Sequence, residues 1–298
     1  MKILLFGKNG QVGWELQRSL APLGTLIALD RSSLDFCGDL TNLEGIRNTI
    51  LAVAPDVIVN AAAYTSVDKA EAEPELAQLI NAAAPAVMAE AAQKIDALLV
   101  HYSTDYVFNG EGNLPWQEDS ATAPLNEYGR SKLSGELAIV KSAGNYLIFR
   151  TSWVYAVRGN NFIKTMLRLA RTQSQLNVIN DQFGVPTGAD LIADISAHAI
   201  ANYHRNSVPG IYHLAASGIT TWHEYAKFII GFAIEKQQTL KASPEAVAPV
   251  ASGAFKTAAI RPLNSRLNTD KLSQVFKLQL PAWQVGVRHV LTEILERN

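Results

Sequence analysis

A phenol and an amine stand four residues apart in Tyr128-Gly129-Arg130-Ser131-Lys132. On a helix that spacing puts both side chains on one face, one turn apart. Reducing a carbonyl needs a hydride from one side and a proton for the developing alkoxide from another. A phenol with a pKa of about 10 is a sluggish acid–base group at neutral pH. An ammonium ~4 Å away, at an effective dielectric near ~20, stabilises the phenolate by up to ~4 kcal/mol, roughly three pK units. The pair is therefore expected to work as an acid–base couple with an acidified phenol, and Lys132 can also hold a ribose. Tyr-x-x-x-Lys by itself equally describes a solvated helix face. Its company separates the two readings, because Ser103-Thr104 closes an apolar run that reads as a strand. A hydroxyl at a strand's carboxyl end lies where open α/β sheets build their sites. There Thr104 can hold a substrate carbonyl against Tyr128; the plainer reading is a hydroxyl capping its own backbone.

A second constellation lies about 115 residues earlier, in Gly7-Lys8-Asn9-Gly10-Gln11-Val12-Gly13. It sits where an apolar strand hands over to an amphipathic helix. Gly7, Gly10 and Gly13 allow a tight turn and close backbone approach, and the helix amino terminus with Gln11 and Val12 faces a pyrophosphate. The spacing is G-x-x-G-x-x-G, and Lys8 stands at the wrong end for a P-loop. Asp30 closes the second strand, where a carboxylate accepts from an adenosine ribose, while Arg31 can pair with a 2′-phosphate. Both NADH and NADPH are thus open as cofactors. The bland alternative is a structural turn with an incidental surface Asp.

These residues require a particular frame. Short apolar runs at 2–6, 25–30, 56–60, 97–103 and 146–150 alternate with helical patterns at 11–20, 43–53, 74–94 and 127–142. Alternating units of this kind predict an α/β fold, a doubly wound parallel sheet of the Rossmann type. Later helical patterns near 161–173, 190–204, 222–236 and 283–296 are separated by Gly-, Asn- and Pro-rich loops, and 242–262 reads as an irregular connector. The expected division is a dinucleotide-binding domain over 1–152, with some later segments returning to it, and a smaller α/β substrate-binding domain over 153–298.

Composition narrows the partners. A net charge of −1 over 298 residues leaves no general field for nucleic acid or an anionic membrane. No apolar run approaches the ~20 residues that span a bilayer, and the short apolar start ends at Gly7. A single cysteine, Cys37, forbids an intrachain disulfide, and a cytoplasmic setting is expected. The six histidines show no zinc-ligand spacing.

Longer stretches carry a resemblance. GKNGQVG, Gly38-Asp39-Leu40, Asn60-Ala-Ala-Ala-Tyr-Thr65, HYSTDYVFNG at 101–110, PLNEYGRSK at 124–132, FRTSWVYA at 149–156, GNNF at 159–162 and RPLNSRLNT at 261–269 run through nearly the whole chain. On these the sequence resembles the extended short-chain dehydrogenase/reductase family, and within it the rhamnose branch. The resemblance implies reduction of the 4-keto group of the nucleotide sugar dTDP-4-dehydro-L-rhamnose. It implies cofactor contacts for Gly10, Gln11, Val12, Asp30, Asp39, Leu40, Ala62, Ala63, Tyr102, Tyr128 and Lys132, and substrate contacts for Thr104, Asp105 and Trp153. Trp153 on its own reads equally as a core aromatic. Arg261 and Arg266 are candidates for base or diphosphate. The family also implies magnesium (Mg2+) at a homodimer contact, with Asp190, Glu293 and Glu296 as candidate ligands. Dehydratases of the family carry Asp-Glu after the strand-end Thr; Asp105-Tyr106 stands here, which argues against dehydration. A nucleotide-sugar 4-epimerase and a non-catalytic regulatory subunit remain as rivals.

Overall fold

The computed structural model describes residues 1–142, 144–206 and 209–296. The first half runs β1 (Lys2–Phe6), α1 (Gln11–Leu20), β2 (Thr25–Leu29), α2 (Leu43–Val53), β3 (Val57–Asn60), α3 (Val67–Ala70), α4 (Pro74–Gln78), α5 (Ala84–Lys94), β4 (Leu98–Thr104), α6 (Glu127–Ser142) and β5 (Tyr146–Thr151). The second half runs β6 (Val154–Tyr155), α7 (Phe162–Thr172), β7 (Leu176–Ile179), β8 (Phe183–Gly184), β9 (Thr187–Gly188) and α8 (Ala189–Asn206). It continues with β10 (Gly210–His213), β11 (Thr220–Thr221), α9 (Trp222–Glu235), β12 (Val247–Val250), α10 (Asp270–Phe276) and α11 (Trp283–Glu296).

Six strands form one sheet in the order β10-β5-β4-β3-β1-β2, and every pairing in it is parallel. The strands are apolar on both sides because helices cover both faces. Alternation within β1 makes this visible. Ile3 and Leu5 join Leu16 and Leu20 of α1 and Ile192 of α8, while Leu4 and Phe6 join Ile46 and Ile50 of α2 and Met88 of α5. The chain reverses direction across the sheet between β1 and β3, and the crevice at their carboxyl ends is where such sheets bind ligands. A separate core is built from α7, α9 and α11, with Ile163, Tyr225, Ile229, Val287 and Leu291 at its centre.

Two expectations need correction. The Ala-rich stretch 74–94 is not one α-helix: Leu79–Ala83 is a π-helical segment between α4 and α5. It turns buried Asn81 inward, where Oδ1 accepts from Tyr64 N at 2.8 Å and Nδ2 donates to Tyr64 O and Ser131 Oγ, each at 3.0 Å. Satisfying that buried amide compensates the irregular turn. The supposed connector 242–262 contains β12, which pairs in parallel with β7 from Val247↔Leu176 to Val250↔Ile179. β10 extends the main sheet beside β5, and α8 and α10 contribute Ile200, Leu272 and Phe276 to the core under it.

Candidate active site

The glycine loop is as tight as a dinucleotide requires. Gly7 has φ +87°, and a Cβ there would stand 2.6 Å from Ala62 N. A Cβ on Gly13 would meet Gly7 O at 2.0 Å, so α1 starts hard against the end of β1. A cavity of about 190 Å³ opens beside the loop, lined by Gly7, Gly10, Asp30, Arg31, Asp39, Leu40, Ala62 and Ala63. Asp30 Oδ1 accepts from Ser32 N, Ser32 Oγ and Ser33 Oγ at 3.0 Å each, and Asn9 Nδ2 and Lys8 also face the carboxylate. Slight burial works to raise its pKa, but these hydrogen bonds and the Lys8 charge outweigh it and hold the group below the usual range. Arg31 pairs with Asp39 at 3.3 Å, leaving its side chain mostly in solvent at the cavity rim. Gln11 lies at the start of α1, where its Oε1 accepts from Asn161 Nδ2 at 3.0 Å; Val12 packs into the core below the sheet. Arg158 adds a second tie, donating to Asn9 O at 3.0 Å and stacking over Trp14 at 4.2 Å. The loop before α7 thus closes on the glycine turn.

The predicted catalytic side chains meet at the carboxyl end of β4. Asn126 sets the start of α6: its Oδ1 accepts from Gly129 N at 2.8 Å and its Nδ2 donates to Ile260 O at 2.7 Å. Tyr128 and Lys132 then point along one face of α6, as their spacing predicts. The Tyr128 phenol shares a hydrogen bond with the Thr104 side chain, and its ring meets Tyr106 edge-on at 5.7 Å. Thr104 Oγ1 also accepts from Tyr106 N and donates to Asp105 Oδ1, both at 3.1 Å. Lys132 is only 2% exposed. Its Nζ donates to Tyr102 O at 2.5 Å and lies 3.1 Å from His101 Nε2. Tyr102 therefore offers this site its carbonyl, while its ring lies in the core and its hydroxyl donates to Ser196 Oγ at 2.7 Å.

The expected acidified phenol is not found. Burial pushes Tyr128 up to about 12, opposed by the Thr104 hydrogen bond and reinforced by Asp105. Lys132 Nζ is turned to Tyr102 O and His101 Nε2. Burial instead brings Lys132 down to about 8, against the pull of Glu136. Asp105 rises to about 7 through burial, opposed by hydrogen bonds from Ser265 and Thr104, and its Oδ2 has no partner. The site as it stands holds a protonated phenol beside a carboxyl that titrates near neutrality.

A larger cavity, about 770 Å³, adjoins Tyr106 and is lined by Phe162, Gln182, Trp222, Lys256 and Arg261 among others. Trp153 does not line it. It sits at φ +48° and stacks flat on Trp222, with ring centroids 3.7 Å apart and planes 14° apart. Trp222 Nε1 donates to Gln182 Oε1 at 3.1 Å, fixing the indole that forms the wall. Arg261 reaches the cavity while paired with Asp68 at 2.5 Å; Arg266 instead lies over the Phe183 ring at 4.4 Å. Sequence reasoning gave no site role to Trp222, Tyr106 or Asn126, although Tyr106 lies within HYSTDYVFNG and Asn126 within PLNEYGRSK.

Within the single chain the acids implied for magnesium come together only in part. Asp190 and Glu293 both raise the Glu15 carboxyl, so they share its neighbourhood, but Glu296 is exposed. Among the described residues no three His, Cys, Asp or Glu side chains could hold a metal ion. The glycine cradle, by contrast, fits a dinucleotide.

Comparison with known proteins agrees with this geometry. A family model described as the RmlD substrate binding domain matches residues 1–296. The dTDP-4-dehydrorhamnose reductase of Escherichia coli (strain K12) is 56% identical over 295 residues, covering 99% of this chain and 98% of that protein. The crystal structure of a dTDP-4-dehydrorhamnose reductase from Clostridium acetobutylicum superposes with a TM-score of 0.90 at 32% identity, covering 99% of each chain. That of the Bacillus anthracis enzyme, in complex with NADP, gives 0.86 at 35% identity, covering 98% of this chain and 99% of that one. Matched end to end in sequence and in fold, the chain belongs to the dTDP-4-dehydrorhamnose reductase family.

Proposed function

We propose that the protein reduces the 4-keto group of dTDP-4-dehydro-L-rhamnose to give dTDP-L-rhamnose, using NADPH or NADH. The observation that carries this is a protonated phenol, Tyr128, hydrogen-bonded to Thr104 and packed edge-on against Tyr106, which lines the larger cavity. A reduced nicotinamide held by the glycine loop and Lys132 would supply the hydride for the sugar C4. Tyr128 gives its proton to the oxygen that becomes the new hydroxyl, and Thr104 orients that oxygen. A pKa of about 12 keeps the phenol loaded with the proton that reduction consumes. Lys132 grips the ribose and faces the charge that Tyr128 gains.

Gly7, Gly10, Gln11, Val12 and Gly13 hold the pyrophosphate, and Asp30, Arg31, Asp39, Leu40, Ala62 and Ala63 surround the adenosine. Asp105 meets the sugar, Trp153 acts through Trp222, and Arg261 with Lys256 suits the diphosphate. In this reading 1–152 with α8 and β10 carry the cofactor, and most of 153–298 builds the substrate side.

The test is loss of absorbance at 340 nm with dTDP-4-dehydro-L-rhamnose and either cofactor. Tyr128→Phe is expected to keep cofactor affinity and lose turnover ~100-fold or more, the usual worth of general acid help. Cofactor bound without net consumption, or near-normal turnover in that variant, overturns the assignment.

A further inference from the structure

Behind Lys132 lies a buried polar chain that the reaction just described does not use. Asn60 at the end of β3, His101 in β4 and Lys132 in α6 are each no more than 2% exposed. Asn60 Oδ1 accepts from Ala62 N at 3.2 Å. A backbone amide can only donate, so this contact fixes which side of the carboxamide carries oxygen. Asn60 Nδ2 then faces His101 Nδ1 at 3.1 Å. Nδ1 must therefore accept, and a neutral imidazole carries its hydrogen on Nε2. That hydrogen points at Lys132 Nζ, 3.1 Å away. An ammonium has no lone pair with which to receive it; an amine has one. The amine can accept from Nε2 while donating to Tyr102 O at 2.5 Å, so every contact in the chain is satisfied.

We propose that His101, locked by Asn60 into the tautomer protonated on Nε2, stabilises the neutral amine of Lys132 in the cofactor-free protein at alkaline pH, so that dinucleotide binding there takes up as much as one proton at Nζ. This rests on the dinucleotide reading of the glycine loop. The ionisable neighbours agree. Burial drives His101 well below the ordinary imidazole range, so it does not serve as a cation here. On α6, Glu136 attracts an ammonium, but its carboxylate is already clasped by Arg150 of β5 at 2.7 Å. Tyr128, one turn back on the same helix, is protonated and offers no charge. A bound dinucleotide changes the balance through its ribose hydroxyl acceptors and diphosphate charge. His101 is thus a positioning residue that acts through Lys132.

The amine is read directly by ¹³C NMR of cofactor-free protein labelled at the lysine ε-carbons, the Lys132 signal being the one absent from Lys132→Met. It is expected to titrate near 8, roughly two units below an ordinary lysine. Proton uptake is read by isothermal titration with NADH at pH 9 in buffers of differing ionisation enthalpy; NADH has no 2′-phosphate to titrate. A pKa moving from about 8 to an ordinary ~10.4 takes up ~0.9 proton per site. Asn60→Asp supplies an acceptor to Nδ1, draws the imidazole proton there and leaves Nε2 as an acceptor for ammonium. It is expected to raise the lysine titration by at least about one unit and to cut uptake at pH 9 to about half or less; His101→Gln, whose carboxamide oxygen can accept from an ammonium, serves if that variant does not fold. An ordinary Lys132 titration in the wild type, NADH binding with no proton taken up, or wild-type uptake in the variants overturns the proposal. Absence of NADH binding sinks the dinucleotide reading and the uptake with it, while the NMR titration still decides the amine.

Discussion

Replacing Asp105 by Asn is expected to make the protein progressively more stable, relative to wild type, as pH rises from 5 to 8. The carboxyl is 2% exposed, its Oδ2 lacks a partner, and burial lifts its pKa from 3.8 to about 7. Between those values the unfolded chain has released the proton and the folded chain still holds it. The folded state therefore binds more protons, and stability falls as pH rises through this window. Three units correspond to about 4 kcal/mol in all, and the interval from pH 5 to 8 contains about 2.5 kcal/mol of it. An amide of the same size does not titrate, so the variant escapes this loss. Other titrating groups cancel in the difference between the two proteins. Urea unfolding of both at pH 5 and pH 8 measures that difference directly. A gap that stays constant within ~0.5 kcal/mol across the range refutes the claim that Asp105 is a charge held at a cost in the folded state. The opposite slope would mean that the carboxylate is stabilised by a donor missing from the present description.

Gly13→Ala drives a Cβ onto Gly7 O, which is backbone and cannot swing aside. Fluorescence titration with NADPH is expected to show at least ~10-fold weaker binding, and melting a loss of ~1–3 kcal/mol from overpacking. Glu136→Gln leaves the Arg150 guanidinium, 3% exposed, without its carboxylate; urea unfolding is expected to show a loss of ~3–5 kcal/mol, with Glu136→Leu/Arg150→Met losing less than the single variant. Trp222→Ala removes both the cavity wall and the stack on Trp153. Steady-state kinetics should then show KM for the nucleotide sugar raised ~10-fold, in line with ~1.5 kcal/mol for an aromatic pair, with NADPH affinity unchanged.

What could be read from the sequence was whatever depends on near neighbours in the chain. The apolar run of Lys2–Phe6, the turn at Gly7 and the one-face spacing of Tyr128 and Lys132 are local facts, and the fold displays them. The partners of Lys132 are not local. His101 sits 31 positions earlier and Tyr102 30, and only the pairing of β3 with β4 brings Asn60 beside His101. A histidine amid the apolar residues of Leu98–Thr104 was nonetheless a signal that could have been followed. Likewise Ala-rich periodicity runs smoothly through 79–83, and a lone Asn81 was the one mark of the π-helical turn. β12 is four residues long and includes Pro249, so nothing in its own composition announces a strand; its partner, Leu176–Ile179, lies some 70 residues away. Nor could the sequence show that Trp153 stacks on Trp222, 69 positions on, whose indole lines the cavity.

The return of β10, α8 and α10 to the main sheet also bears on how the chain is made. While only the first 152 residues have left the ribosome, Ile3, Leu5, Val59 and Phe149 lack the side chains of Ile192, Ile200, Tyr212 and Leu272 that seal that face. An apolar sheet surface left open in this way is sticky, and its contacts span long sequence separations that close slowly. The nascent amino-terminal half thus keeps an apolar face uncovered, and the sheet gains its full support only after synthesis has passed residue 276.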